Sequence, residues 1–360
     1  MINHVIIKKI LHKGRNLIMK KLKLEDVAAL AGVSKTTVSR VINRRGSLSQ
    51  KTIDKVEAAM AQLNYHPNVI AQQLHTQRTN LIGILVPSVA NPFFGELTMY
   101  LEDALFQRGY KVLISDALNQ TAKEERYLSQ LMGHQVDGLI IATHNNKLEE
   151  YQHANLPIVA IDRFLRADIP VVASDNYAGA KLATEALIQR GCQHIIHTYT
   201  TNPSNWHDNQ REKAFQAVMA DHHLPAITYT TAFDCPPAER TARFERLFDE
   251  HPAVDGIFAS NDLDAARLLS LARARGYRVP ADLQIIGYDG AQATQELVPE
   301  LATIIQPIEQ MATYAVKLLA DRMAGEFTPT STVLPVNLKT GQTLKTLGSS
   351  STGTDELLEE

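Results

Sequence analysis

From Leu81 onward the chain alternates short, near-continuous apolar runs with stretches of helical spacing, and few folds accept that pattern. The runs are LIGILVPS, KVLISD, VDGLIIAT, IVAID, VVASD, HIIHTYT, GIFASND and LQIIGYDG. A helix is expected from near Phe93 to before Gly109, another through Leu131, and a third from about Tyr177 to Arg190, ended by Gly191. Strands without polar alternation are buried on both faces, which means parallel sheets covered by helices. About ten such strands exceed one comfortable sheet, so two doubly wound lobes are expected.

Ligands of such sheets bind beyond the carboxyl ends of the strands. The first run ends in PSVANPFF, which offers Ser88, Asn91, Phe93 and Phe94. IVAID ends in Asp162 and is followed by Arg163; FASND ends in Asn261 and Asp262; IIGYDG carries Asp289; Gln306 follows TII; and Arg211 opens a helix. Amides, carboxylates and guanidinium groups hydrogen-bond sugar hydroxyls, and aromatic rings pack on apolar sugar faces. Any one of them has a plainer explanation, because an Asp or Asn after a strand commonly caps the next helix. Six such sites with the same chemistry favour a polar ligand cleft. Trp206, in TTNPSNWHDN before Arg211, either stacks on the ligand or shields the cleft.

The charge is divided unevenly. Residues 1–80 hold 14 lysines and arginines against 4 acidic residues, and the remaining 280 hold 22 against 35, although the whole chain is only −3. A basic head and an acidic body suggest a polyanion partner for the head. Within the head, Leu24, Val27, Ala28 and Leu30/Ala31 form one helical stripe, and Gly32 interrupts it. Ser34 can cap a second helix to about Asn43, with Val38, Val41 and Ile42 inward. Ser49 can cap a third, with Ile53, Val56, Met60 and Leu63 inward. Helix, tight turn, helix is the layout that places its second helix in the DNA major groove. That helix presents Lys35, Thr36, Thr37, Ser39 and Arg40 on its polar face. Pro67 then opens a short linker helix, too short to be stable alone.

The stretch LEDVAALAGVSKTTVSRVIN, followed by KVEAAMAQLNYHPNVIAQQL, resembles the head and hinge of the lactose-repressor (LacI/GalR) family, densely from Leu24 to Leu74. The resemblance implies that Lys35, Thr36 and Arg40 occupy base-reading positions and that Leu74 is the hinge residue wedged into the minor groove at the operator centre. Asn43, Asn68 and Ala71 complete the expected DNA-contacting set. Over about residues 81–341 the body is similar, more loosely, to periplasmic ribose-binding proteins and the sugar-responsive repressors built on that body. This implies that Asn91, Phe93, Phe94, Asp162, Arg163, Arg211, Asn261, Asp289 and Gln306 fall on binding positions. SDNYAGA, RGCQH, IIGYDG and TIIQPI look most like the sucrose- and ribose-operon repressors of Gram-positive bacteria, which imply a furanose-containing ligand.

The expected organisation is an extension over 1–19, a head over 20–66, a hinge over 67–79, a two-lobed body over 80–344 and a tail over 345–360. Expected partners are double-stranded operator DNA, a small sugar or sugar-phosphate effector and a second copy of the chain, since a palindromic operator needs a two-fold protein. Induction is favoured because the cleft reads as suited to a neutral sugar. Two other readings stay open: a catabolite-control type that needs a corepressor or phosphoprotein to bind DNA, and a sugar receptor without a DNA role. No apolar run approaches the roughly 18 residues of a membrane span, and Cys192 and Cys235 make no disulfide framework, so a cytoplasmic protein is expected. His144, His194, His197 and His207 show no metal-site spacing, and no P-loop, GxGxxG or GxSxG occurs. Neither a metal, a cofactor nor enzymatic activity is expected.

Overall fold

The computed structural model describes residues 22–43, 45–66, 78–117, 120–133, 135–143, 157–201, 210–232 and 235–347. Asn68, Ala71, Leu74 and Trp206 lie outside them, as do the N-terminal extension, most of the linker and the tail from Gly348. The chain forms two compact units, one closing at Arg78 and the other opening at Thr79.

The first unit holds α1 (Leu24–Ala31), α2 (Lys35–Ile42) and α3 (Gln50–Gln62). Gly32 ends α1 at φ 65, the left-handed region in which a side chain is strained, and so permits the tight turn into α2. The Ser34 hydroxyl accepts from the Thr37 amide at 3.1 Å and the Ser49 hydroxyl from the Thr52 amide at 3.3 Å, capping α2 and α3 as their sequences suggest. Val27, Ala28, Ala31, Val38, Val56, Ala59 and Tyr65 form the core. Leu30 does not join it and is 44% exposed. It lies about 100° round the helix from the centre of the Val27–Ala28–Ala31 stripe.

Among the described residues the second unit has two six-stranded sheets. The first contains β1 (Leu81–Val86), β2 (Lys111–Asp116), β3 (Gly138–Ile141), β4 (Ile158–Ile161), β5 (Val171–Ser174) and β11 (Ser331–Leu334), all parallel, in the order β11-β5-β4-β3-β1-β2. The second contains β6 (Ile195–Thr201), β7 (Ile227–Ala232), β8 (Gly256–Phe258), β9 (Gln284–Asp289), β10 (Ala302–Ile305) and β12 (Asn337–Lys339), in the order β12-β10-β9-β8-β6-β7. Among the described strands only β12 runs antiparallel, against β10. The central strands are wholly buried, as their unbroken apolar runs require.

Among the described residues the chain passes between the lobes three times. Helix α6 (Asn176–Ile188) follows β5 but packs on β10 and β12; helix α11 (Ile308–Met323) follows β10 but packs on β3, β4 and β5; β11 leads into β12. These crossings are tied together. The Ser174 hydroxyl donates to Gln306 Oε1 at 2.7 Å, and the Asp175 amide donates to the Leu334 carbonyl at 2.8 Å. The strand ends of both sheets therefore face one cleft across a hydrogen-bonded, three-stranded hinge.

Candidate functional site

On α2, Lys35, Thr36 and Arg40 are exposed, whereas Thr37, Ser39 and Asn43 are half-buried. A spacing of four residues puts Thr36 and Arg40 on one face of the helix, and Lys35 opens the helix next to Thr36. The half-buried three serve the helix itself. Thr37 Oγ1 lies 2.9 Å from the Ser34 hydroxyl, and Asn43 Nδ2 donates to the Ser39 carbonyl at 2.8 Å. Lys35 Nζ sits 2.5 Å from Glu25 Oε1, and this lysine holds the Glu25 carboxyl below its usual range. Both side chains are more than half exposed, so the pair is weak and a phosphate can displace it. The Arg40 guanidinium donates from Nε to the Arg45 carbonyl at 3.4 Å and folds over Gly46, where a Cβ would strike it.

The cleft has a volume of about 1200 Å³. Ser88, Asn91, Phe93, Phe94, Asp162, Arg163, Arg211, Asn261, Asp289 and Gln306 all line it. They do not all present the same thing to it. Asn91 caps α4 (Pro92–Phe106) through the Phe93 amide at 2.9 Å, and Asn261 caps α9 (Asp262–Ala274) through the Asp264 amide at 2.9 Å. Phe93 is 5% exposed and meets Phe94 edge-on at 5.0 Å. Arg163 is 3% exposed and turns into the first lobe, where it donates to Thr143 Oγ1 at 2.9 Å; Thr143 in turn donates to Glu124 Oε1 at 2.5 Å. Asp262 is structural, because its carboxylate accepts from the Gly290 amide and the Thr303 hydroxyl.

Two hydrogen-bonded relays cross the floor. In one, Asn176 Nδ2 donates to Asp162 Oδ1 at 2.7 Å, and Arg211 Nε donates to Asn176 Oδ1 at 2.6 Å. Arg211 also donates from NH1 to the Ser260 carbonyl at 2.9 Å and stacks 3.5 Å above the Tyr288 ring. In the other, Gln306 Nε2 donates to Asp289 Oδ1 at 2.8 Å. Asp162 and Asp289 adopt positive φ, 56 and 112. Such backbone costs free energy and persists where the surroundings hold it, commonly at ligand sites.

Asn176 and Ser174 are among the cleft residues that escaped the reading of the chain, and His197 was read only as one of four scattered histidines. Asn176 looks like an ordinary first-turn residue after the Asp175 cap. Ser174 sits on a strand end and joins the hinge. His197 is 1% exposed, stacks on Phe258 at 4.4 Å, and shares a hydrogen bond of 3.0 Å between Nδ1 and the Phe258 carbonyl. Its signal was a polar residue on the same strand face as buried Ile195.

Burial pushes the Asp289 carboxyl up to about 8, and nearby Asp262 and Asp162 push the same way. Arg211 is the largest opposing influence, followed by the Gln306 hydrogen bond. Burial also raises Asp162, and it pushes His197 down to about 4. A carboxyl raised on folding stabilises most below its ordinary value near 3.8, and that contribution is lost as pH rises through about 8. The neutral His197 acts oppositely: its contribution is present above 6.5 and lost as pH falls toward 4. Between about pH 6.5 and 8 the Asp289 effect is thus isolated from that of His197. Asp289→Asn is expected to melt higher than the parent at pH 8 and to flatten the fall in melting temperature across that window, on the order of a few kcal/mol in stability. Equal slopes in thermal melts of the two proteins would show that the carboxyl ionises freely.

Among the described residues, no cluster of ligating side chains suits a metal ion, and no helix is long and apolar enough to cross a membrane. Residues 23–68 match the model for bacterial regulatory proteins of the lacI family, and residues 184–344 match the periplasmic binding protein-like domain. The chain is 40% identical over 303 residues to the sucrose operon repressor of Pediococcus pentosaceus, covering 84% of this chain and 93% of that protein. It is 39% identical over 300 residues to the ribose operon repressor of Bacillus subtilis (strain 168), covering 82% and 90%. Among solved structures, the lac repressor dimer bound to operator and the anti-inducer ONPF superposes with a TM-score of 0.80 at 27% identity, covering 91% of this chain and all of that one. These relatives are transcriptional repressors rather than enzymes. With a helix-turn-helix unit joined to a two-lobed periplasmic-binding-like body, the chain belongs to the LacI family of bacterial DNA-binding regulators.

Proposed function

We propose that the protein represses a carbohydrate-utilisation operon and is released from its operator when a furanose-type sugar occupies the cleft. The observation that carries this reading is the convergence of ten polar and aromatic residues on one cleft whose floor is tied to the interlobe hinge. Sugar hydroxyls would pair with Asp162, Asn176, Arg211 and Asp289. A wrong sugar would leave buried polar groups unpaired at about 1–3 kcal/mol each. The sucrose and ribose repressors among its relatives support a furanose-containing effector.

In this reading the head spans residues 20–66, a hinge segment 67–79 and the sensing body 80–344. Lys35, Thr36 and Arg40 read base edges, and Thr37, Ser39 and Asn43 support the helix that carries them. Asn68 and Ala71 contact the DNA, and Leu74 acts at the operator centre. The protein works as a homodimer. Met99 and Phe106 on α4 are exposed, as are Leu113 and Ile114 of β2, which is a sheet edge. An apolar face on an edge strand is a surface that a second copy covers.

Selection from a random duplex pool, followed by release of the selected duplex with a sugar panel, tests the proposal. The expected product is a two-fold-symmetric site from which at least one furanose-forming sugar displaces the protein. A protein that selects no sequence, or that holds its site against every sugar, would contradict it.

A further inference from the structure

The lobes are tied at a second place, away from the hinge strands. Helix α10 (Gln292–Leu297) follows β9 of the second lobe and packs on α4 of the first. The Gln292 amide, at the first position of α10, donates to Glu96 Oε2 on α4 at 2.6 Å. Beside it, Ala291 is fully buried in the core cluster of the first lobe that holds Phe93 and Leu97. The turn that makes these contacts starts at Asp289, which lines the cleft, whereas neither Glu96 nor Gln292 lines it. The turn is braced: the Gly290 amide donates to Asp262 Oδ2 at 2.8 Å, and Gln295 Nε2 donates to the Gly290 carbonyl at 2.5 Å. Only three positions in the chain therefore separate a carboxyl facing the cleft from a hydrogen bond to the opposite lobe.

The two interlobe contacts resist different movements. Packing at Ala291 resists approach of the turn to α4. A hydrogen bond resists separation, so the Glu96 bond is what lets the turn pull the helix. A first-turn amide has no partner inside its own helix, and a carboxylate that accepts from it makes one of the stronger hydrogen bonds. On α4, Met99 and Phe106 follow Glu96 by three and ten residues, which puts all three on one side of the helix. That side carries the exposed apolar residues of the face that a second copy covers.

We propose that Glu96 is a positioning residue for induction: it couples the Asp289 turn to α4, so that a sugar seated in the cleft shifts the helix face that meets the second copy. The inference rests on the cleft being the sugar site and on α4 facing the other protomer. Glu96 touches neither sugar nor DNA and acts through the backbone amide of Gln292.

The bond can be cut from either end. Glu96→Ala removes the acceptor. Gln292→Pro removes the donor alone, because proline is accepted at the first position of a helix and Ala291, at φ −59 and ψ 142, already has the backbone that a residue before proline adopts. Gln292→Ala keeps the amide and serves as the control. Anisotropy of a labelled operator is measured on the full chain with and without saturating ribose, fructose or sucrose, and calorimetry gives the affinity for each sugar. Gln292→Ala should be released like the parent. Glu96→Ala and Gln292→Pro should each reduce the factor by which sugar weakens operator binding about fivefold or more, with sugar affinity shifted less than about threefold. Glu96→Gln, which keeps an acceptor without the charge, should fall between. If one of the two cutting variants fails to fold, the other carries the test. A residue that only braces the fold would lower the melting temperature and leave the release factor alone. An unchanged release factor in the folded cutting variants overturns the coupling role and leaves the sugar reading standing. Sugar affinity that falls in step with release overturns it too, since Glu96 would then serve binding. A parent that no sugar releases overturns both.

Discussion

Arg211→Ala is expected to give a protein that grips its operator at unchanged affinity and no longer lets go when sugar is added. Arg211 orients Asn176 and, through it, Asp162, and its charge is the strongest influence drawing Asp162 and Asp289 toward ionisation. Alanine removes at one stroke a donor, the tether on Asn176 and the counter-charge of two carboxyls. Hydrogen bonds to charged groups are worth about 1.5–3 kcal/mol each, so losing two reduces sugar affinity by on the order of a hundredfold or more. The fold should survive, because the two carboxyls are already raised and can take up protons instead of standing as bare buried charges. Operator affinity should change by less than about threefold, since Arg211 lies outside the unit that carries the helix-turn-helix. Anisotropy titrations of a labelled operator with and without sugar measure both quantities. A normal sugar response would remove Arg211 from the binding floor.

A protein that begins at Thr79 should keep its sugar affinity and lose its operator. The cut falls between the two compact units. The new terminus stays anchored, because the Thr79 amide and hydroxyl donate to Asp137 Oδ1 at 2.8 and 2.9 Å, and the Asn80 amide donates to Oδ2 at 2.9 Å. The fragment removed holds the basic surplus of the chain and α2 with it. Phosphate contacts supply most nonspecific affinity and base contacts the specificity, so loss of both should cost about a thousandfold or more. The acidic remainder should not bind a duplex at physiological salt. Retained sequence-specific binding would place the reading surface elsewhere.

The interior of the fold could be read from the chain because its central strands carry no competing signal. LIGILV, GLII and IVAI are apolar throughout, and all three lie in the middle of a sheet. ITYTTA, STVL and NLK went unread as strands, and all three are sheet edges, where half the positions face water and the apolar pattern thins. The same contrast holds at the cleft. Residues that end a strand announce themselves by position, as Asp162, Asn261 and Asp289 do. Arg240 and Arg267 lie within amphipathic helices and look like solvated surface until the fold turns them toward Asp264. Arg163 shows another limit: its strand-end position places it on the cleft, but its guanidinium also donates to Thr143 inside the lobe. Which way a side chain turns depends on contacts distant in sequence, and no local spacing encodes them.

Release by sugar requires a linkage between the cleft and the operator, and linkage is reciprocal. Calorimetric titration of an inducing ligand into the free protein and into the protein saturated with operator measures it directly. The ligand should bind the free protein more tightly, by the same factor, about 5–150-fold, by which it weakens operator binding. Equal ligand affinity in the two states would contradict the account, because a ligand that does not distinguish them cannot drive release.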